Sequence, residues 1–184
     1  MKSRKIIAGV DEVGRGSLIG SVFSSAVILK DDKSPLDIKD SKKLSEKLRI
    51  KLANEIIKQS LCVSIGVATK DEIDSINIHN ATLLSMKRAI YNLSIKPDFV
   101  KIDGLYTPET EIECESIIGG DNKIIEISAA SIIAKVARDF EMDFLHNKFE
   151  MYNFKQNNGY GTRQHIEAIE YFGKTIYHRE SFIK

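Results

Sequence analysis

Gly9-Val-Asp-Glu-Val-Gly-Arg-Gly-Ser-Leu-Ile-Gly20 decides how this chain is read. The β-branched run from Ile6 to Val10 predicts a strand, and it delivers two adjacent carboxylates, Asp11 and Glu12. A cationic glycine loop, Gly14-Arg15-Gly16, follows at once. Carboxylates at a strand end suit a hard divalent cation. Glycines let backbone approach a ligand closely, and an arginine between them suits a phosphate. Together they point to phosphodiester chemistry. A dinucleotide fingerprint would need G-x-G-x-x-G between strand and helix, and Gly14, Gly16 and Gly20 leave one residue too many in the second gap. The two acids would also repel a pyrophosphate, at ~4 kcal/mol for like charges ~4 Å apart in an intermediate dielectric, whereas a bridging metal reverses the sign. Taken alone, the segment also fits a plain strand-to-turn corner with solvated acids.

Outward from this segment, Ser21 to Leu29 reads as a second strand and Lys30 to Lys43, with Pro35, as a polar loop. Ser45 is placed to cap a helix running to about Gln59, with Leu48, Leu52 and Ile56 recurring at i+4. Leu61 to Ala68 is a third strand. Thr69-Lys-Asp-Glu72 is a capping box opening a short helix, and Leu83, Met86, Ile90 and Leu93 mark one face of the next. Phe99 to Ile102 is a fourth strand ending at Asp103-Gly104, and Glu111 to Ile118 a weaker fifth, terminated by Gly119-Gly-Asp121. A long helix is expected from about Ile125 to Phe149, a loop from Asn153 to Gly161, and a last helix capped by Thr162 and ending near Phe172-Gly173. Strands first, then strand and helix alternating, predict one α/β domain over residues 1–184. Its sheet is mixed and mainly five-stranded, flanked by helices. Residues from about 150 to 184 form a small C-terminal helical appendage on it.

Composition narrows the class. A length of 184 residues fits one domain, and 42% hydrophobic residues suffice for a core. No apolar run reaches the ~20 residues that span a bilayer. The N-terminus shows no secretory pattern, and Cys62 and Cys114 have no zinc or CxxC spacing, so both read as buried thiols. A cytoplasmic protein without a membrane partner is expected. The net charge of +1 gives no global pull toward nucleic acid. The last 34 residues, however, hold five Lys or Arg against three Glu, and seven of the 14 aromatics. Such interleaving can bind a sugar-phosphate chain, though half or more of these rings are expected in the core.

Asp11, Glu12, Asp103 and Asp121 all lie at strand ends or nearby turns, where ligands bind in open α/β sheets. Singly, Asp103 or Asp121 reads as a cap or turn residue; jointly, the four could hold two divalent ions for in-line displacement at phosphorus. Because neighbouring strand residues point to opposite faces, Asp11 and Glu12 are expected to share a site only if the strand ends or bulges between them. On the long helix, Ser128, Ser131, Lys135 and Arg138 share a face. That face is either a solvated stripe or one turned to a phosphate backbone. Asp139 is expected to pair with Lys135 at i+4. The four histidines show no metal spacing, and His178-Arg179 alone is kept as a functional candidate beside a packing role.

Asp11-Glu-Val-Gly-Arg-Gly16 resembles the signature of the type 2 ribonuclease H family, ribonuclease HII. The resemblance continues, in family order, at Asp40-Ser-Lys-Lys-Leu44, Asp103-Gly104, Gly120-Asp121, Ala129-Ala-Ser-Ile-Ile-Ala-Lys-Val-Ala-Arg-Asp139, Gly159-Tyr-Gly-Thr162 and His178-Arg-Glu-Ser-Phe182. It implies an RNase H-like fold and a metal-dependent endonuclease using Mg²⁺ or Mn²⁺. The implied substrate is the RNA strand of an RNA/DNA hybrid, or a lone ribonucleotide in duplex DNA, with 5′-phosphate and 3′-hydroxyl products. Carried over, Asp11, Glu12, Asp103 and Asp121 are the metal ligands. Gly14, Arg15 and Gly16 read the ribose 2′-hydroxyl, and Tyr160 meets the neighbouring sugar. Lys42, Ser131, Lys135 and Arg138 are candidates for backbone contacts. The chain stops two residues after Phe182, so the resemblance implies no clamp-binding tail; a monomer is expected.

Overall fold

A computed structural model describes residues 5–30 and 45–183. Five strands form one mixed sheet: β1 (Ile7–Val13), β2 (Val22–Leu29), β3 (Ser60–Ala68), β4 (Phe99–Asp103) and β5 (Cys114–Ile117). Their order is β3-β2-β1-β4-β5. β1 pairs antiparallel with β2, and β2 with β3, while β1–β4 and β4–β5 are parallel. The expected sheet is therefore present, with the fifth strand shorter than predicted.

Helices cover both faces. α2 (Lys70–Tyr91) packs Met86, Ala89 and Ile90 on Ala8, Val10, Val100 and Ile102. α1 (Glu46–Gln59) and α3 (Ile125–Lys148) pack on the other face, with Ile56, Ala129, Ala130 and Ile133 against Val27 and Leu29. α3 lies very close to β1: a Cβ on Gly9 would stand 2.1 Å from the Glu126 carbonyl carbon. That approach fixes α3 beside the two acids that follow Gly9.

The capping box at Thr69 and Glu72 is present, and α2 kinks at Asn77 (φ 68°), separating the two expected helices. Ser45 stands at the N-cap of α1 but makes no side-chain cap bond. The C-terminal segment adds α4 (Phe154–Asn157), one turn inside the expected loop, and α5 (Arg163–Phe172), capped by Thr162. Tyr152, Phe154 and Ala168 pack with Met142 and Leu145 of α3 and with Ile19, which follows the glycine loop. Both cysteines are free thiols. No helix among the described residues is long and apolar enough to cross a membrane.

Candidate active site

The parallel ladder between β1 and β4 has Val10 opposite Ile102 as its last pair. One step further along each strand stand Asp11 and Asp103. β1 does not end or bulge after Asp11, as the sequence led us to expect; it stays paired with β2 through Glu12 and Val13. The acids meet by another route. The Asp11 carboxylate folds back and accepts the Glu12 backbone N–H at 2.7 Å. Glu12, sent to the opposite face by strand alternation, has one more methylene with which to return. Asp11, Glu12 and Asp103 each offer an oxygen within 4.8 Å of the others.

Asp103 is held from behind. Its Oδ1 accepts the N–H of Gly120 at 2.7 Å and of Asp121 at 3.3 Å, both in the 3-10 turn Gly120–Asn122. The Ser128 hydroxyl in turn donates to the Asp121 carbonyl. The Asp121 carboxylate itself is not among the three clustered acids; its Oδ1 accepts Asn122 Nδ2 at 2.7 Å. Among the described residues, then, three of the four expected ligands converge, and the fourth contributes its backbone.

The cluster lines a cleft of about 280 Å³ with Arg49, Ser131 and Lys135. Burial pushes the Asp11 carboxyl well above the ordinary carboxylate range, and the Glu12 and Asp103 charges push it the same way, against a hydrogen bond from Ser131. Burial likewise raises Glu12, opposed by Arg15, whose Nη1 lies 3.5 Å from Glu12 Oε1. Glu12 Oε2 is buried and has no hydrogen-bond partner. Three oxygen donors that repel one another, one of them orphaned, fit a hard divalent cation, which would satisfy the orphan and turn the repulsion into attraction. The acidic cluster could hold such an ion.

Gly14 to Gly16 follow directly on Val13, which lines this cleft. Gly14 has φ +93°, and Tyr160, 43% exposed, lies next to Gly16: a Cβ there would stand 3.5 Å from Tyr160 Cε1. Residue Tyr160 also forms a β-bridge with Ser17.

The sequence profile of ribonuclease HII matches residues 8–184. The chain belongs to the ribonuclease HII family. The ribonuclease HII of Alteromonas mediterranea is 51% identical over 179 residues, covering 97% of this chain and 94% of that protein. Two solved structures share the fold. The first, from the PCNA:RNase HII complex of Archaeoglobus fulgidus, has a TM-score of 0.82 at 26% identity, covering 95% of this chain and 94% of that one. The second, ribonuclease H2 of Pyrococcus horikoshii, has a TM-score of 0.81 at 27% identity, covering 95% and 92%. As a ribonuclease HII the chain is a hydrolase, an endonuclease of the ribonuclease H type.

Within this member of the family, the polar stripe of α3 divides. Ser131 and Lys135 face the cleft. Lys135 pairs with Asp139 at 2.5 Å, as expected. Arg138 does not line the cleft: it is 2% exposed and donates inward to Ser17 Oγ at 2.8 Å and the Ile19 carbonyl at 2.7 Å, and it pairs with Glu141. Its expected contact with a substrate backbone is corrected on that ground, because a buried guanidinium already bonded to the loop cannot reach a phosphate. Lys42 lies outside the described residues. His178 is buried, its Nε2 3.1 Å from His165 Nε2, and so takes the packing role. Sequence reasoning missed Arg49, which lines the cleft and pairs with Asp139 at 2.6 Å. Its position in α1 carries no signal, since only the packing of α1 on α3 brings it to the site.

Proposed function

We propose that this enzyme cuts the RNA strand of RNA/DNA hybrids, and also cuts at single ribonucleotides embedded in duplex DNA, leaving 5′-phosphate and 3′-hydroxyl ends. The carrying observation is the convergence of Asp11, Glu12 and Asp103 within 4.8 Å in the lining of a cleft, with the glycine loop following Val13 of the same lining. We read residues 1–184 as one catalytic domain acting as a monomer on nucleic acid, with 150–184 as its appendage.

Asp11, Glu12 and Asp103 would hold Mg²⁺ or Mn²⁺, with Asp121 as the fourth ligand. A pair of such ions, when bound, supplies an activated water and neutralises the leaving 3′-oxygen. The chain itself orients the substrate. Gly16 and Arg15 are exposed while Gly14 is buried at the start of the loop, and the loop would bond the ribose 2′-hydroxyl through its backbone; a site built to bond a hydroxyl rejects the deoxy sugar because its own polar groups would be left unpaired. Arg15, exposed beside Glu12, meets the adjacent phosphate, and Tyr160 packs on the neighbouring sugar. Ser131 and Lys135 contact the backbone from α3. No side-chain nucleophile is needed. Incubation of a continuous RNA/DNA hybrid and its all-DNA counterpart with Mg²⁺ tests this reading. Cleavage of the RNA strand alone, with fragments a ligase can rejoin, is expected. Equal cutting of both duplexes, or 3′-phosphate ends, would refute it.

A further inference from the structure

The motif His178-Arg-Glu-Ser-Phe182 takes no part in the site described above, yet Arg179 reaches it. The Arg179 side chain is fully buried. Its Nε donates to the Gly20 carbonyl at 2.9 Å, Nη1 to the Arg15 carbonyl at 2.9 Å, and Nη2 to the Gly14 carbonyl at 2.8 Å and the Ser21 carbonyl at 3.1 Å. One planar fork thus collects both ends of the glycine loop. The neighbouring backbone joins in: Gly20 N–H donates to the Tyr177 carbonyl and Arg179 N–H to the Leu18 carbonyl.

A trans peptide points its C=O and the following N–H in opposite directions, and none of the peptides here is cis. Drawing the Gly14 carbonyl toward Arg179 therefore turns the Arg15 N–H away from it. Drawing in the Arg15 carbonyl does the same for the Gly16 N–H. These are the amides that a ribose hydroxyl would meet. From this geometry we infer that Arg179 is the positioning residue of the ribonucleotide-reading loop, aiming its backbone donors at the substrate from the far side. This rests on the reading of Gly14–Gly16 given above. Lysine cannot replace it, since one ammonium lacks the rigid fork that reaches four carbonyls. Burial lowers the guanidinium to about 9, so it stays charged at neutral pH.

The test is a double-mutant cycle on single-turnover cleavage of a duplex carrying one ribonucleotide. Arg179→Lys should slow cleavage roughly tenfold to a hundredfold, the usual consequence of a reacting geometry off by about an ångström. Mn²⁺ binding by the protein should stay unchanged. If Arg179 acts through the loop, Arg179→Lys and Gly16→Ala should couple, the double variant being little slower than the slower single one. Asp74→Asn serves as the comparison. Asp74 accepts the Glu180 and Ser181 N–H groups and so anchors the same segment without touching the loop. It should lower the melting temperature while leaving the rate within about twofold. Arg179→Gln is the second variant should lysine prevent folding. Multiplying effects of Arg179→Lys and Gly16→Ala, or an equal rate loss from Asp74→Asn, would overturn the inference. Full activity of Gly16→Ala alone would instead overturn the reading of the loop on which it stands.

Discussion

Asp11 and Glu12 are adjacent in an unbroken strand, yet their carboxylates share one site, because the Glu12 N–H donates to Asp11 Oδ1 at 2.7 Å. That bond draws the Asp11 carboxylate toward the following peptide, and the longer Glu12 side chain brings an oxygen within 4.8 Å of it. With Asp103 they form a cluster of mutually repelling charges that a divalent cation would offset. Asp11→Asn keeps the acceptor oxygen but removes the charge, and Asp103→Asn likewise keeps the bond from Gly120. Each should lower turnover by roughly three orders of magnitude or more. Circular dichroism should stay native. Near-normal cleavage by Asp11→Asn would show that another group holds the reaction.

The pH dependence of the metal-free protein follows from the same crowding. Asp11 has its folded value raised above 3.8, so the folded chain keeps a proton that the unfolded chain has lost. Stability therefore falls as pH rises from near 4 through the raised value. Urea unfolding in EDTA should find Asp11→Asn gaining stability relative to wild type as pH rises above about 4, with Mg²⁺ closing the gap by stabilising wild type alone. A gap that does not change with pH would contradict this.

His178 gives the opposite sign. Burial, followed by the neighbouring His165, lowers it to about 4. Its contribution is complete above about 6.5 and is lost as pH falls toward 4, which corresponds to roughly 3 kcal/mol. His178→Gln should flatten that part of the unfolding profile. An unchanged slope between pH 4 and 6.5 would mean that other groups carry it.

Two glycines of one loop should respond differently to alanine. At Gly14, φ is +93° and a Cβ would stand 2.9 Å from Arg138 Nε, so Gly14→Ala should cost stability, about 1–2 kcal/mol for the backbone alone. At Gly16 the Cβ meets only Tyr160, at an ordinary 3.5 Å. Gly16→Ala should therefore melt like wild type while slowing cleavage at a ribonucleotide. Tyr160→Ala should weaken cleavage at a single embedded ribonucleotide more than on a continuous hybrid. Thermal melts and rates on both substrates check all three.

The fold was legible because its signals are local: β-branched runs at β1 and β2, the Thr69–Glu72 box, and the 3.6-residue period of α3. The acids at strand ends were legible for the same reason. What escaped depends on chain segments far apart in sequence. Arg138 shares a helical face with Ser131 and Lys135, but the loop at Ser17 to Ile19 folds over it, and a periodicity cannot show that. Arg49 bonds across 90 residues of sequence, and Arg179, a candidate in the sequence only beside His178, finds its carbonyl partners about 160 residues away. The Glu12 return was hidden because strand alternation describes where a side chain starts and not where a long one ends.

Cleavage of two otherwise identical duplexes, one all DNA and one with a single ribonucleotide, tests the central claim most directly. With Mg²⁺, the wild-type protein should cut only the ribonucleotide-bearing strand, at that nucleotide, and should cut neither duplex in EDTA. Cleavage of the all-DNA duplex at a similar rate, or undiminished cleavage without a divalent ion, would contradict the assignment of Asp11, Glu12 and Asp103 as a metal-dependent, ribonucleotide-specific site.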